Sequence, residues 1–285
     1  MKLAQLIAQT GEHEAVIQVL CHLLEAERTN VFLVKDISEP IAKKALEIIK
    51  QYQKGIPLAY LLGSTYFYNR KFLVTPDVLV PRHDTEVLVE LAEKKIIADS
   101  IIGNENTPYR ILDLCCGSGI IGISLSYLCN WLHESHHNLS YEIVSADYSV
   151  PALEVAIQNA ALHNADINFI YSDLFENLRG KFDLIVCNPP YVRTADIGVE
   201  DQWTLKEPRM ALDGGTDGLY FYRRILSTAR EHLYPHSMII FEIGYDQAAA
   251  LEQIALEYGY QYSKVYKDLA NRDRVVTIRV SCLKN

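Results

Sequence analysis

Apolar side chains recur at helical spacing through the first 55 residues of the chain. Leu3, Leu6 and Ile7 stand three and four apart, as do Val16, Val19, Leu20, Leu23 and Leu24, and this period predicts amphipathic helices. A further helix is predicted from Ser38, a capping residue type, with Pro40 suited to its first turn and Ala45, Leu46, Ile48 and Ile49 on its apolar face. Gly55 and Pro57 end it. Residues 64–80, STYFYNRKFLVTPDVLV, are aromatic and β-branched instead, with Asn69-Arg70 at a turn, which predicts a β-hairpin. From about residue 85 strand and helix patterns alternate, the signature of a doubly wound α/β domain. Strands are predicted at Arg110–Leu114, Glu142–Ala146, Asn168–Tyr171, Phe182–Cys187, Ser237–Glu242 and Val275–Val280. Helices are predicted at Thr85–Ser100, Gly119–Cys129, Val150–His163, Leu219–His232 and Gln247–Tyr258. The segment Trp131–Ser140 reads as a solvated polar loop, and its His133, His136 and His137 read as solvated side chains rather than metal ligands. The expected organisation is a helical domain over residues 1–62, a hairpin linker over 63–84 and an α/β domain over 85–285.

Composition narrows the partners more than the fold. With 285 residues, 49% hydrophobic and 22% charged, the chain is long and apolar enough for a core of its own. The net charge of −9 is unevenly spread. Residues 1–80 hold nine basic and eight acidic side chains, whereas residues 81–285 hold eighteen and twenty-eight. A protein gripping duplex nucleic acid through its phosphates would carry a basic face, and none is evident. The six cysteines, Cys21, Cys115, Cys116, Cys129, Cys187 and Cys282, show no paired spacing and read as reduced, buried small hydrophobes. The N-terminus lacks a signal-peptide core, and no apolar run approaches the roughly 20 residues needed to span a bilayer, so a soluble, cytoplasmic protein is expected.

Chemistry gathers at the ends of successive strands. Ile111-Leu-Asp113-Leu-Cys115-Cys116-Gly117-Ser118-Gly119 runs from a strand through a small-residue turn into a helix, where a ligand can approach backbone amides closely. It does not match the dinucleotide fingerprint G-x-G-x-x-G. Asp147 ends the next strand, where an acidic side chain can accept hydrogen bonds from ribose hydroxyls, and Asp173-Leu174 follows the third, placed to meet an adenine edge and face. Together these resemble the S-adenosyl-L-methionine site of Rossmann-like class I methyltransferases.

Directly after the fourth strand stands Asn188-Pro189-Pro190-Tyr191, a rigid extended corner. A planar amide or amino nitrogen is a poor nucleophile because its lone pair is delocalised. The Asn188 side-chain oxygen and the Pro189 carbonyl can accept its two N–H groups and direct the lone pair at an electrophilic methyl, with Tyr191 packing on the flat group. This corner resembles that of DNA adenine-N6 methyltransferases, some RNA methyltransferases and enzymes that modify glutamine side chains.

The flanking sequence separates these. Gly55-Ile-Pro57-Leu-Ala-Tyr60-Leu-Leu-Gly63, followed by Phe72-Leu-Val-Thr-Pro76-Asp-Val-Leu-Val-Pro81-Arg82-His-Asp-Thr85-Glu86, resembles the linker signature of the PrmC/HemK family of protein-(glutamine-N5) methyltransferases. Glu207-Pro208 with Ala211-Leu212, Phe241-Glu242-Ile-Gly244, and Asp268 with Asp273-Arg274-Val275 extend the likeness over essentially the whole chain. The resemblance implies a Rossmann-like class I domain behind a helical substrate-recognition domain, S-adenosyl-L-methionine as cofactor, and the Gly-Gly-Gln glutamine of class 1 peptide chain release factors as acceptor. It implies a protein partner, with neither direct nucleic-acid nor membrane binding, for a monomeric enzyme. Asn188, Pro189, Pro190 and Tyr191 become the catalytic corner. Cys115, Cys116, Gly117, Ser118, Gly119, Asp147, Asp173 and Leu174, with Asn188, become the cofactor site, and Arg82, Thr85 and Glu86 shape the substrate cleft. Arg82 as a surface ion pair and Thr85 as a helix cap are the plainer alternatives. A nucleic-acid methyltransferase or a silent binding scaffold on the same fold are the rival functions. Two departures stand out: Cys115 replaces the family's usual glycine, so that turn keeps an ordinary φ or carries strain, and Leu174 stands where many relatives carry an aromatic ring.

Overall fold

The structure, a computed structural model, describes residues 1–101, 107–137, 140–199 and 202–280. The chain opens with five helices, α1 (Leu3–Thr10), α2 (His13–Leu24), α3 (Arg28–Leu33), α4 (Glu39–Tyr52) and α5 (Leu58–Leu62). Their apolar faces meet around Leu6, Val16, Leu20, Ala45 and Ile49, all with no exposed surface, in a core separate from the rest. Ser38 takes the N-cap backbone position of α4 with Pro40 in the first turn, but its side chain caps nothing. The short α3 and α5 were not expected, because six and five residues are too few to display a helical period.

Strands β1 (Ser64–Phe67) and β2 (Arg70–Leu73) form the hairpin. Its tight turn is Tyr68-Asn69, at φ 50° and 59°, one residue earlier than the sequence suggested. The hairpin is fastened to the α/β domain by one buried amide on helix α8 (Val150–His163): Asn159 Oδ1 accepts from the Leu73 N–H at 2.7 Å, while Nδ2 donates to the Leu73 and Ser118 carbonyls, each at 3.0 Å. Val74 and Val78 of the following extended segment pack on Ala152 and Val155 of the same helix.

The remainder is built on seven strands, β3 (Tyr109–Leu114), β4 (Tyr141–Asp147), β5 (Asn168–Tyr171), β6 (Phe182–Cys187), β7 (Leu233–Glu242), β8 (Tyr260–Lys267) and β9 (Asp273–Val280), in the order β5-β4-β3-β6-β7-β9-β8. Strands β3 to β7 are parallel and β9 runs antiparallel between β7 and β8. Helices α6 (Glu86–Ser100), α7 (Ile120–Leu132), α8, α9 (Tyr220–Thr228) and α10 (Ala248–Glu257) cover the sheet. Residues facing one side of the strands join Leu112, Ile185 and Phe241 in one core, and those facing the other join Ile111, Leu184 and Ile240 in a second, as expected when both faces are buried. The order reverses between β3 and β6, so the crevice beyond their carboxyl ends is the place where such a sheet holds a ligand.

Two expectations need correction here. Helix α7 runs past Cys129 to Leu132 and continues as a π-helical turn over His133–His137, where a polar loop was expected; the side chains of His136 and His137, and residues 138 and 139, lie outside the described residues. Of the cysteines, Cys116, Cys129 and Cys187 are buried, whereas Cys21 and Cys115 are partly exposed and Cys282 lies outside the described residues. Among the described residues no helix is long and apolar enough to cross a membrane, and no group of three or more His, Cys, Asp or Glu side chains could hold a metal ion.

Candidate active site

A cavity of about 510 Å³ opens at the reversal of strand order, between the carboxyl ends of β3, β4 and β6 and the linker over residues 77–85. Its floor is the turn after β3. Cys115 adopts φ 60° and Gly117 φ 53°, both left-handed. The cysteine therefore carries the strain that glycine would avoid, of order 1–2 kcal/mol. A Cβ built on Gly117 would meet nothing within 4 Å, so the backbone there is open to an approaching group. Gly119 lies outside the lining: its φ is 78°, and a Cβ there would stand 3.1 Å from that of Ala156, so its smallness serves the approach of α7 to α8. Cys116 and Ser118 line the cavity from buried positions, and burial pushes the Cys116 thiol up, leaving it protonated and inert.

Asp147 closes one side of that floor. Its Oδ2 accepts from the Gly117 N–H and its Oδ1 from the Ser149 N–H, both at 2.8 Å. Burial raises its pKa, opposed by these amides and that of Tyr148. The two backbone bonds fix the carboxylate while leaving each oxygen further lone pairs. Next along the rim, Asp173 is held in a bidentate pair by Arg224, both bonds 3.0 Å. Leu174 follows at φ 51° and is 7% exposed, presenting an aliphatic wall to the cavity. Tyr148, stacked on Tyr171 at 5.6 Å, and Phe221 add aromatic surface that the sequence reading did not identify. An anchored carboxylate, an open backbone turn and an apolar wall fit a nucleoside with a polar tail, and so fit S-adenosyl-L-methionine.

Asn188 and Pro190 line the opposite side, whereas Pro189 and Tyr191 do not. The Tyr191 hydroxyl turns away from the cavity to donate to Glu242 Oε1 at 3.1 Å, because a buried hydroxyl needs an acceptor. Burial and the adjacent carboxylate push its pKa up, so it stays protonated. The corner is clamped from behind. Gln247 Nε2 donates to the Tyr191 carbonyl at 2.9 Å and the Gly218 carbonyl at 3.2 Å, and its Oε1 accepts from the Gly244 N–H at 2.9 Å. There is no space for side chains at the facing glycines: a Cβ on Gly214 would lie 2.8 Å from Tyr191 Cα, and one on Gly218 2.5 Å from the Tyr191 carbonyl oxygen.

The linker supplies the third wall. Arg82 lines the cavity and donates to Glu207 Oε2 at 2.6 Å, while Glu207 Oε1 accepts from the Val80 N–H at 3.0 Å. With the Glu207 side chain fully buried, this pair pins the linker rather than decorating the surface. Thr85 stands before α6 without capping it; its hydroxyl oxygen instead accepts from Asn188 Nδ2 at 3.4 Å. Glu86 is outside the lining, its carboxylate accepting from the Tyr68 N–H at 3.0 Å and meeting His83 Nδ1 at 3.1 Å, which braces the hairpin turn. Glu207, Arg224, Glu242 and Gln247 were missed as site residues. Only Glu207 and Glu242 left a trace, in the Glu207-Pro208 and Phe241-Glu242-Ile243-Gly244 segments.

Residues 94–208 match the family described as "Methyltransferase small domain". The catalytic domain of hMettl16, solved in complex with MAT2A 3'UTR hairpin 6, shares the fold with a TM-score of 0.55 at 13% identity, covering 87% of this chain and 84% of that one. A release factor glutamine methyltransferase of Thermodesulfovibrio yellowstonii is 36% identical over 270 residues, covering 93% of this chain and 91% of the relative. A protein of the same name from Clostridium botulinum is 35% identical over 282 residues, covering 95% and 94%. With the Rossmann-like sheet, the cavity at its reversal and the Asn188–Tyr191 corner in place, these similarities over nearly the whole length establish that the chain belongs to the release factor glutamine methyltransferase family.

Proposed function

We propose that this protein methylates the side-chain N5 nitrogen of the glutamine in the Gly-Gly-Gln loop of class 1 peptide chain release factors, using S-adenosyl-L-methionine, in the cytoplasm and as a monomer. The observation that carries the reading is Asn188 on the cavity wall, its amide nitrogen bonded to Thr85 and its oxygen thereby left for a ligand. Bound S-adenosyl-L-methionine supplies a methyl group on a positively charged sulfur. Asp147 would hold the ribose hydroxyls, Leu174 would cover the adenine, and the Cys115–Ser118 turn would lie under the amino-acid part. Asn188 Oδ1 accepts one N–H group of the glutamine amide and the Pro189 carbonyl, which stands behind the cavity lining, is assigned the other, so that together they set the direction of the nitrogen lone pair. No strong base is needed first, because the nitrogen becomes acidic only as it is alkylated and then loses its proton to solvent water. Catalysis of this kind rests on position and fixed dipoles. Tyr191 and Pro190 keep the corner rigid, the Tyr191 hydroxyl being engaged by Glu242.

The helical module is assigned to recognition of the factor outside its loop, since a single loop glutamine offers little contact area. Its placement supports this: Tyr52 of α4 stacks on Trp203 at 4.8 Å, in the segment between the corner and Glu207. The test is mass spectrometry of an intact class 1 release factor incubated with enzyme and S-adenosyl-L-methionine, with duplex and single-stranded DNA assayed separately. One added methyl on the Gly-Gly-Gln glutamine is expected. Methylated adenine beside an untouched factor would overturn the acceptor assignment.

A further inference from the structure

Helix α9 follows Gly218, the glycine packed against the corner, and carries Tyr220 and Arg224 one turn apart, both on the cavity wall. The chemistry above gives Arg224 no part beyond holding Asp173, and that pair is built from both sides. Arg224 Nη1 and Nη2 each donate to one Asp173 oxygen at 3.0 Å, and the guanidinium stands 5.6 Å from the Tyr220 ring centroid. Opposite, Asp173 rides on a fixed loop. The Ser172 N–H donates to the Asp147 carbonyl at 3.0 Å, while the Ser172 hydroxyl donates to the Leu174 carbonyl at 2.8 Å and accepts from the Asn177 N–H at 3.0 Å. Asp173 and Asp147 thus stand at the ends of neighbouring strands, and a planar fork rather than solvent sets the orientation of Asp173. Two accepted bonds still leave its oxygens further lone pairs for a ligand.

Beyond this pair lies a second cavity of about 250 Å³. Asp173, Leu174 and Arg224 line both cavities, and Phe175, stacked on His232 at 4.8 Å, lines the second. A space of about 150 Å³ is enough to hold a benzene ring. The second cavity is larger, so an aromatic substituent entering from the first would find room there, against Leu174 and Phe175. Asp173 and Leu174 belong to the loop after β5, and Arg224 alone reaches the partition from a helix.

We infer that Arg224 is a specificity-determining residue for the cofactor: paired with Asp173, it partitions the two cavities and confines the site to a purine whose 6-amino edge carries no bulky substituent. The inference rests on the proposed reading, in which Asp147 holds the ribose and the base lies against Leu174. It extends that reading by a residue of α9 and by a space beyond the base. Selectivity of this kind comes from what a wall refuses as well as from what it holds. Both side chains of the pair are partly exposed, so the pair adds little to stability and its loss leaves the fold intact.

The experiment is calorimetric titration of the full-length wild type and variants with S-adenosyl-L-homocysteine, the demethylated form of the cofactor, and with its N6-benzyl analogue. Folding is checked by thermal melting. The analogue keeps one N–H on the 6-amino nitrogen, so its bulk is what the comparison reads. The wild type is expected to bind the parent about 10- to 100-fold more tightly, the penalty for pressing a ring into filled space. In Arg224→Ala the analogue should gain about tenfold or more relative to the parent. The parent itself should weaken by about three- to tenfold, because Asp173 is no longer held in place. Arg224→Met fills much of the same space without the charge, so it should weaken both ligands alike and keep most of the preference. Equal affinities in the wild type, an unchanged preference in Arg224→Ala, or a preference lost as fully in Arg224→Met would overturn the inference. Should Arg224→Ala fail to fold, the shorter and uncharged Arg224→Gln is read in its place, with the same direction expected. Asp147→Ala with wild-type affinity for S-adenosyl-L-homocysteine would instead overturn the placement of the cofactor itself, so the two failures are distinct.

Discussion

Asp113 gives a prediction whose size can be worked out from its surroundings. The carboxyl has no exposed surface, near the carboxyl end of β3 and just before the turn that floors the cavity. Its Oδ2 accepts from the Gly122 N–H at 2.9 Å, and its Oδ1 has no hydrogen-bond partner. Burial dominates, and with Asp147 nearby it outweighs the help of Gly122 and Ser145, so the pKa is pushed up to about 7 from 3.8. Well below pH 3.8 the group is protonated folded or unfolded and contributes no pH dependence. Between those two values the unfolded chain has released its proton while the folded chain keeps it, so stability falls as pH rises. At 1.36 kcal/mol per unit the whole shift is worth about 4 kcal/mol, of which about 3 kcal/mol lies between pH 5 and pH 8. Asp113→Asn keeps an oxygen for Gly122 and removes the titration. Urea unfolding of both proteins at several pH values is the assay, because the difference between them cancels every other titrating group. The Asn variant should gain about 3 kcal/mol on the wild type between pH 5 and pH 8. Two curves that stay parallel within about 0.5 kcal/mol would refute the argument, because the carboxyl would then ionise at the same pH in both states.

Other outcomes follow from the site. Asn188→Ala should slow methyl transfer by on the order of 10²-fold or more, with cofactor affinity nearly unchanged in calorimetry. Asp147→Ala should raise the dissociation constant for S-adenosyl-L-methionine by about 10- to 100-fold, the worth of hydrogen bonds to a charged group. Gly218→Ala places a Cβ 2.5 Å from both the Tyr191 carbonyl and Gln247 Nε2 at a φ of 74°. Its melting temperature should fall, from strain of about 1–3 kcal/mol, and its turnover should fall with it because the corner must shift. Deleting residues 1–60 should leave a protein that binds cofactor yet methylates the intact factor slowly; full-rate methylation by a folded truncation would remove the helical module from recognition.

The sequence exposed the central parallel strands β3, β4 and β6 well because they are buried on both faces and read as apolar runs, as in Phe182–Cys187. Strand β8 escaped notice for the opposite reason. Its Tyr260–Lys267 segment is polar, lies at the sheet edge and is broken by register shifts against β9, so no clean alternation survives. Residues on the site were visible where chemistry and backbone coincide, at Asp147 and Asn188. Glu86 and Gly119 show the limit: each stands within a matching motif, yet one braces a hairpin and the other lets two helices touch. Arg224 and Gln247 were hidden because their roles depend on partners 51 and 56 residues away, which no local pattern reveals.

The linker's place along the cavity has a consequence for how the enzyme is assembled as it folds. Its fastenings span the chain: Asn188 reaches Thr85 across 103 residues, and Glu207 reaches Val80 across 127. Contacts of such separation must close large loops, and they form late in folding. A nascent or partly folded chain can therefore complete strands β3 to β5, with Asp147 and its turn, before Asn188 has anything to orient it. Competence to hold the cofactor would arise earlier than competence to transfer its methyl group.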